Sequence, residues 1–496
     1  MSMRWFCGCD LKLFMLSIAV ALGLQACATP PLILPAQPDA AACERFFADM
    51  DVRVAEHDAT DAAAARIAGF AGLRVDRFLA SFAGAELTAD AYAAWLERLR
   101  LLDETGRRIE WRNLPYQAKS PVPAAGDADA LIRDCGRLLV RQMLDSPGRR
   151  RRLLGELRAP DEYSTWRRLL GLYALSRWAI VDGVRQLHAE MRAPFLDVSP
   201  EQSGRGKRIF YAPPAAPAIG AEQVAAILAR SAANPLAIPE PPADQLERLF
   251  SAYAPAWAVE TLSDDDRIGT LGLDADGKAY LDPRKPSVYR LVSHTRFGNQ
   301  VLLQLNYLIW FPARTSSGML DIYAGRFDGL IWRVTLSMDG RPLAYDSIHA
   351  CGCYYQLFPG EGLRVVQAQD GSEAVLTPMP ILARQPGERL LVKVSAGKHF
   401  IDGISVESLT RAEQYHWLDY HMLRSLPISG TGYKSVFDQD GLLPGSERPE
   451  RFLLWPMGVP SAGAMRQWGR HAVAFLGKRH FDDPRLLENL LRPLWE

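Results

Sequence analysis

Apolar positions recur at helical spacing through the first part of the chain. Alanine- and leucine-rich blocks carry charged residues on their opposite faces, a pattern typical of amphipathic helices. Thr88 offers a helix N-cap, and the spacing of Trp166, Tyr173 and Trp178 favours a buried core over a membrane belt. The pattern predicts a bundle-like domain over residues 41–200, with helices at residues 43–54, 61–82, 89–105, 127–144 and 164–191.

A proline-rich stretch follows the helical pattern. Residues 211–217 and 235–242 are rich in proline and bracket one short helical pattern at residues 221–233, and a second lies at residues 243–253. Proline lacks the backbone N–H that helices and sheets use, so such brackets interrupt regular structure. We therefore interpret residues 201–260 as a connection with short helices, and we place a domain boundary within it.

The pattern then changes to the alternation of β-strands. Residues 288–294 and 300–311 predict two strands around a turn, and the second has one wholly apolar face from Val301 to Phe311. The other face is mixed and carries Gln304 and Asn306. One apolar and one mixed face are typical of strands in a sandwich or barrel. The two amides could line a pocket, although a half-solvated face is the commoner arrangement.

A hairpin is predicted around Asp339-Gly340, because this dipeptide between strand patterns is a strong signal for a two-residue turn. The turn predicts four pairs of cross-strand partners: Met338 and Arg341, Leu336 and Leu343, Val334 and Tyr345, and Leu330 and His349. By the two-residue period of a strand, His349 shares a face with apolar side chains. The register therefore predicts that His349 points inward.

The remaining patterns complete the predicted fold. Residues 375–406 continue as strands, and the chain closes with helical patterns at residues 406–426, 461–477 and 483–491. Together the patterns predict an α+β fold with a helical N-terminal half and an antiparallel β-rich domain, sandwich or barrel-like, over residues 261–405. Residues 406–496 are expected to form a mixed region of helices and loops packed on the β-domain.

Composition and charge restrict the partners more than the chemistry. The chain has 496 residues, 48% of them apolar, so it can bury more than one core. Its 57 basic and 57 acidic residues leave no basic excess for nucleic acid. The sequence also lacks a P-loop and a dinucleotide-binding glycine motif. We expect no nucleic-acid partner, and any chemistry has to come from other residues.

The first residues have the basic, apolar and small-residue order of an export signal. Arg4 and Lys12 precede an apolar run at residues 13–24, which is too short to cross a bilayer of about 30 Å as a helix. The segment Leu24-Gln25-Ala26-Cys27 closely resembles the lipobox of bacterial lipoprotein precursors. The resemblance covers only the export segment. The alternative is an ordinary secretory signal followed by a chance cysteine.

The lipobox resemblance implies a membrane anchor. It makes residues 1–26 a signal peptide and Cys27 the acylated first residue of the exported chain. Several acyl chains anchor a protein stably, whereas one alone is marginal. Ala28 stands where an aspartate would retain an enteric lipoprotein at the inner membrane, so the resemblance implies the outer membrane. The protein would face the periplasm, with residues 27–40 as an extended tether.

Export also determines which cysteines can pair. With Cys27 acylated, the mature chain keeps four thiols in an oxidising compartment, on Cys43, Cys135, Cys351 and Cys353. Three pairings are possible. Cys43 with Cys135 and Cys351 with Cys353 is the simplest, and the sequence does not select among the three.

His349, Cys351 and Cys353 are candidate metal ligands. Sulfur and imidazole suit copper, zinc or iron, and ligands at i and i+2 can chelate one ion. Three such ligands span about 13 Å on a straight strand, so a site requires a bend, for which Gly352 is the candidate. A further ligand could come from His294 or His399. A Cys351–Cys353 disulfide or redox pair needs the same bend. Two free buried thiols beside a core histidine are the third interpretation.

Two functional hypotheses follow. The first is a lipid-anchored binding or structural protein of the cell envelope. The second is a metal-dependent envelope enzyme with its site at His349, Cys351 and Cys353. No reaction and no catalytic residue is indicated by the sequence.

Replacing Cys27 with serine is expected to abolish acylation, because serine has no thiol to receive the diacyl group. Labelling with an alkyne fatty acid should be lost in Cys27→Ser, and globomycin should block processing of the wild-type chain. Cys7→Ser is the matched control, since Cys7 lies within the predicted signal and its loss should leave labelling unchanged. Labelling that persists in Cys27→Ser would contradict the anchor.

Overall fold

A computed structural model shows an α+β protein, with helices concentrated before residue 200 and strands after it. This confirms the predicted fold class. The structure describes residues 38–119, 127–144, 146–196, 206–367, 372–385, 387–407, 409, 411–430 and 432–494. The predicted signal segment, Cys27 and most of the predicted tether lie outside these ranges. Within them, no helix combines the length and the apolar character needed to cross a bilayer.

The N-terminal half contains most of the helices. They are α1 (Ala40–Glu56), α2 (Arg77–Ala80), α3 (Ala89–Asn113), α4 (Ala128–Leu144), α5 (Pro147–Glu156), α6 (Thr165–Leu170) and α7 (Tyr173–Leu196). Thr88 caps α3 as predicted, since its hydroxyl accepts from the Ala91 N–H at 3.2 Å. Four of the five predicted blocks form helices, the last of them as α6 and α7. Two later helices, α8 (Ala221–Ser231) and α9 (Ala243–Tyr253), also form where predicted.

Two predictions for this half are wrong. Residues 61–82 do not form a long helix but two short strands, β1 (Ala65–Arg66) and β2 (Arg74–Val75), followed by α2. Gly69 and Gly72 between the strands adopt φ of 73° and 82°, a left-handed conformation that ends a helix. Trp166 and Trp178 do not enter the core, since 59% and 70% of their surfaces are exposed.

The strands form two main sheets. Their strands are β3 (Lys207–Ala212), β4 (Ala256–Thr261), β7 (Ser287–Phe297), β8 (Gln300–Arg314), β9 (Gly325–Leu336), β10 (Pro342–His349), β11 (Gln356–Pro359), β13 (Arg389–Val394), β14 (Ile401–Glu407), β15 (Glu413–Gln414) and β16 (His416–Asp419). The first sheet has the order β11-β10-β9-β8-β7-β16 and the second has the order β14-β13-β4-β3-β15. Most neighbouring strands are antiparallel. Three pairs are parallel: β16 with β7, β15 with β3, and β13 with β4. The sequence did not indicate β3 and β4, which lie within the predicted connection.

Smaller elements complete the fold. The short strands are β5 (Thr270–Leu273), β6 (Ala279–Asp282), β12 (Leu363–Val365), β17 (Leu426–Ile428), β18 (Gly432–Lys434) and β19 (Leu491–Pro493). Two short helices, α10 (Glu450–Leu454) and α11 (Leu486–Leu490), lie near the C-terminus, and 3₁₀ turns occupy Tyr116–Lys119, Asp264–Asp266, Tyr420–Arg424 and Trp455–Met457.

The first sheet is buried on both faces. On one face Leu305 and Trp332 share a core with Val392 of the second sheet, as in a sandwich. On the other face Trp310 packs with Phe481 from the C-terminal region. Because that region covers the sheet, Gln304 and Asn306 are buried and do not lie on a half-solvated face. Each amide is hydrogen-bonded, Gln304 to Thr335 at 3.0 Å and Asn306 to the Leu291 carbonyl at 3.0 Å.

The hairpin strands have the predicted register, although the turn between them differs from the prediction. The turn is one residue longer than predicted, because Ser337 and not Met338 pairs with Arg341, by an N–H···O bond of 2.8 Å. Gly340, with φ of 82°, gives the left-handed residue that such three-residue turns require. A bulge at Leu343 then restores the predicted register. Val334 and Tyr345 are therefore partners as predicted, and so are Leu330 and His349.

The C-terminal region differs from the prediction in two places. The described residues between 406 and 426 form no α-helix, because Glu413–Gln414 and His416–Asp419 pair as edge strands with β3 and β7. A 3₁₀ turn follows at Tyr420–Arg424. Residues 461–477 form turns and loops, whereas the helix expected near residues 483–491 is present as α11.

Removing the disulfide between Cys43 and Cys135 is expected to lower the free energy of unfolding by about 2–5 kcal/mol, because the bond restricts the unfolded chain. It joins α1 to α4 over a separation of 92 residues, and both cysteines are fully buried. Urea unfolding of Cys43→Ala/Cys135→Ala measures the loss. Wild-type protein unfolded in reductant should show a similar loss, and a midpoint that reductant leaves unchanged would contradict this role.

Candidate functional site

A cavity of about 720 Å³ lies between α7 and the C-terminal half of the chain. One wall is the inner side of α7, including Ile180, Val184 and Leu187. The other walls come from the segment after β8, the turn after β10, and residues 472–475. This volume is in the range of small-molecule sites, which are concave and mostly apolar with a few polar groups.

The turn after β10 carries the predicted thiols into this region. The strand ends at His349, and Gly352 adopts φ of 95°, so the chain bends at the predicted residue. The Ala472 carbonyl oxygen lies 2.4 Å from where a β-carbon on Gly352 would be, so only glycine fits. Cys353 lines the cavity, and Cys351 is buried behind it.

The two thiols contact each other but form no disulfide. Both cysteines are free, whereas Cys43 and Cys135 are joined, so one of the two bonds of the simplest pairing is present. The Cys353 N–H donates to Sγ of Cys351 over 3.5 Å. The Cys353 thiol also donates to this sulfur and lowers the pKa of Cys351, while the same interaction raises the pKa of Cys353. The pair therefore loses its first proton more easily than its second.

His349 points inward as predicted, but it does not face the cavity. Its Nδ1 lies 3.3 Å from Oδ1 of Asp328, and the ring of Tyr354 packs edge-on against it at 4.6 Å. The other oxygen of Asp328 contacts Nδ1 of His399 at 2.9 Å. Nε2 of His399 in turn lies 3.3 Å from Asp266, as an ion pair without hydrogen-bond alignment. The four residues form a buried chain that we name the His–Asp network: His349, Asp328, His399 and Asp266.

Charges alternate along the His–Asp network. Burial opposes the charge on Asp328, but His349 and His399 hold the pKa of Asp328 well below its usual range. Burial also opposes charge on His399, yet the nearby carboxylates of Asp266 and Asp328 raise its pKa. Burial lowers the pKa of His349 despite Asp328. These shifts favour the charged form of His399, between two carboxylates, and the neutral form of His349, whose Nδ1 contacts Asp328.

The predicted metal ligands separate into two groups. Cys351 and Cys353 contact each other, whereas His349 and His399 meet at Asp328. His294, the other histidine considered, contacts the Pro239 carbonyl at 2.8 Å and lies outside both groups. Across the ranges that the structure describes, no group of three or more histidine, cysteine and acidic side chains is arranged to hold a metal ion. A metal at His349, Cys351 and Cys353 stays a prediction.

Arg314, at the end of β8, is a cavity residue that the sequence did not indicate. It is only 7% exposed and donates to the Tyr354 hydroxyl at 2.9 Å. The rings of Tyr323, Tyr354 and Phe400 each lie within 5.6 Å of its guanidinium carbon. Yet no carboxylate of the described chain lies within 4.0 Å of Arg314. A signal was present, since this arginine stands three residues after the wholly apolar strand face ends at Phe311.

Glu450 is the second cavity residue that the sequence missed. Burial raises its pKa to about 7, although Arg448 and Arg314 partly oppose the shift. Glycine at position 463 leaves room for the Glu450 carboxyl group, because a β-carbon there would lie 2.0 Å from one of its oxygens. No local pattern marks Glu450, because its surroundings come from distant parts of the chain. The cavity thus holds a fixed cation, Arg314, and a carboxyl group that is about half neutral near pH 7.

Comparisons with known proteins add no relative. No family model, no curated protein and no solved structure matches the chain.

Replacing His399 with glutamine is expected to remove part of the pH dependence of stability. Because the pKa of His399 is raised by folding, its protonated form stabilises the fold fully below the unfolded value of about 6.5, and this contribution is lost as pH rises through the folded value. The wild type should therefore exceed His399→Gln in free energy of unfolding by more at about pH 5.5 than at about pH 8.5. Urea unfolding at both pH values measures this difference.

The acidic partners do not disturb that comparison. Asp266, with a pKa lowered to about 2, and Asp328 contribute stability above their unfolded value of about 3.9 and lose it only at lower pH. His416→Gln is the matched control, since His416 is exposed on an edge strand. A difference for His399→Gln that is the same at both pH values would contradict a charged His399.

Proposed function

We propose that this chain is a lipid-anchored envelope protein that binds an amphipathic, anionic small molecule in the cavity. The observation that carries the proposal is Arg314, a nearly buried arginine on the cavity wall without a carboxylate partner within 4.0 Å in the described chain. Burying an arginine is costly unless its charge is compensated. A carboxylate or phosphate of a ligand would compensate it, and the planar guanidinium suits such groups.

Much of the remaining lining fits an apolar body, while Asp321, Glu373 and Glu450 add carboxyl groups to it. Ile180, Val184 and Leu187 line one side, and Phe400 and Phe475 line others. Lys398, a second basic side chain of the cavity lining, is already paired with Glu190. A ligand with one anionic group and an apolar chain therefore matches the walls better than a wholly polar one.

The surface around the cavity supports a ligand that arrives from lipid. Leu320 and Leu453 line the cavity and are 91% and 63% exposed. On the outer side of α6 and α7, Trp166, Leu175 and Trp178 are also largely exposed. Exposed apolar residues of this number mark interaction surfaces, and tryptophan suits the membrane interface. An acylated Cys27 would hold this surface near a bilayer.

Helix α7 gives the ligand a route into the cavity. Of its residues only Met191 is buried, so few apolar contacts hold the helix against the body. At its start the Tyr173 hydroxyl bonds the Phe475 carbonyl at 3.3 Å and the Gly477 N–H at 2.8 Å. Near its end Glu190 pairs with Lys398. Contacts at the two ends and weak packing between them suit an element that opens locally.

Replacing Arg314 with glutamine is expected to weaken binding of a long-chain fatty acid by about 10–100-fold, because a hydrogen-bonded charge contributes about 1.5–3 kcal/mol. The alcohol of the same chain length should bind both proteins equally. Fluorescence titration with labelled forms of the two ligands, in a Cys27→Ser background that avoids detergent, measures both affinities.

The control for this experiment is Arg284→Gln. Arg284 is exposed and paired with Asp282, far from the cavity lining, so its loss should change neither affinity. Equal wild-type affinities for the acid and the alcohol would contradict an anion-binding role of Arg314. Absence of binding to either ligand would contradict the proposed function.

A further inference from the structure

The two free thiols next to the cavity have a geometry that an extended strand cannot provide. Side chains at i and i+2 of a strand lie about 7 Å apart, whereas a disulfide needs β-carbons about 4 Å apart. The turn at Gly352 removes this obstacle, since it brings the Cys353 N–H to 3.5 Å from Sγ of Cys351. The backbone of one short turn therefore holds the two cysteines side by side.

The turn is fixed by contacts from distant segments. The Gly352 N–H bonds the His349 carbonyl at 2.8 Å, and the His349 N–H bonds the Cys353 carbonyl at 3.0 Å. Arg466 donates to the Cys351 carbonyl at 3.2 Å. Because these bonds involve the backbone, they do not depend on whether the thiols are reduced or joined.

We propose that Cys351 and Cys353 form a redox-active dithiol that exchanges with a small thiol or disulfide entering the cavity. The proposal goes beyond ligand binding and does not depend on it. It distinguishes this pair from Cys43 and Cys135, which are fully buried, already joined, and remote from the cavity lining.

The two thiols have different roles. Cys353 lines the cavity and is partly exposed, so its sulfur meets the co-reactant. The Cys353 sulfur attacks one sulfur of a small disulfide as its proton passes to the adjacent Cys351 sulfur. The bond between the co-reactant's sulfurs breaks, and one sulfur leaves as a thiolate that takes up a proton. Cys351, buried behind it, then attacks Sγ of Cys353 and releases the second thiol. The protein loses two electrons and two protons, which leave with the two released thiols, and one disulfide replaces another.

The reverse reaction uses the same steps. A small thiol in the cavity attacks the Cys351–Cys353 disulfide at Cys353, and a second thiol releases the new small disulfide. The direction depends on the ratio of thiol to disulfide around the protein.

The test is equilibration of the full-length Cys27→Ser chain with glutathione and glutathione disulfide, followed by alkylation and mass spectrometry. Trypsin should release one peptide, residues 334–364, that contains Cys351 and Cys353 and no other cysteine, because Pro342 blocks cleavage after Arg341. We expect the fraction of its disulfide form to rise from one tenth to nine tenths over about an 80-fold increase in the ratio of glutathione disulfide to the square of the glutathione concentration. The Cys43–Cys135 bond should stay oxidised throughout.

Two variants test the assigned roles. Cys351→Ser should accumulate a mixed disulfide with glutathione at Cys353, because the second thiol that would release it is missing. Cys353→Ser should accumulate at least about tenfold less mixed disulfide at Cys351, because that sulfur is buried. Equal accumulation in the two variants would overturn these roles.

Other outcomes would overturn the proposal itself. A pair that stays reduced at every glutathione ratio, or that oxidises only in urea, would show that the thiols are structural. Thiols that react only after a chelator is added would indicate metal ligands. Failure of fatty-acid binding leaves the redox result unaffected, so the two proposals are tested separately.

Discussion

The buried carboxylate of Asp328 requires compensation that only several segments together can supply. An isolated carboxylate in a protein interior costs several kcal/mol even after relaxation. Here His349 lies at 3.3 Å, His399 at 2.9 Å, and the Gly329 N–H at 2.9 Å, while Arg448 adds its charge at 3.7 Å. These partners come from β9, β10, the turn before β14 and the loop before α10. The position of each segment therefore depends on the others through one charge.

Backbone strain lies around the same charge. Phe327, Tyr354 and His399 adopt φ of 59°, 65° and 53°, although none is glycine. Such conformations cost about 1–3 kcal/mol each and persist where the surroundings determine them. His399 also stacks on Phe311 at 3.9 Å, and Tyr354 packs against His349. The His–Asp network and its aromatic neighbours thus hold Tyr354 and His399 in place, and Tyr354 belongs to the cavity wall as well. The other described non-glycine residues with positive φ belong to other parts of the chain: Asp58, Leu172, Ala237 and Ser461.

Predictions from the sequence were correct where a local pattern allows only one backbone arrangement. The register of the β9–β10 hairpin placed His349 inward, and glycine at position 352 marked the candidate bend, because both follow from backbone geometry. They failed where tertiary pairing overrides local preference. Residues 406–426 have a helical pattern but lie at the open edges of two sheets, where their backbone groups pair with β3 and β7. Trp178 has the spacing of a core residue, yet α7 turns it outward.

By itself the sequence determined the α+β class, the inward position of His349, Gly352 as the candidate position for a bend, and the expectation of an export signal that ends before Cys27. These depend on residues that are close along the chain. Only the tertiary structure decided that Arg314 lies on a cavity wall without a carboxylate partner, that Cys353 reaches this cavity, and that Asp328 is held between two histidines. Each of these depends on contacts between residues far apart in the chain, such as Asp328 and His399, whose meeting no local pattern of apolar and polar positions encodes.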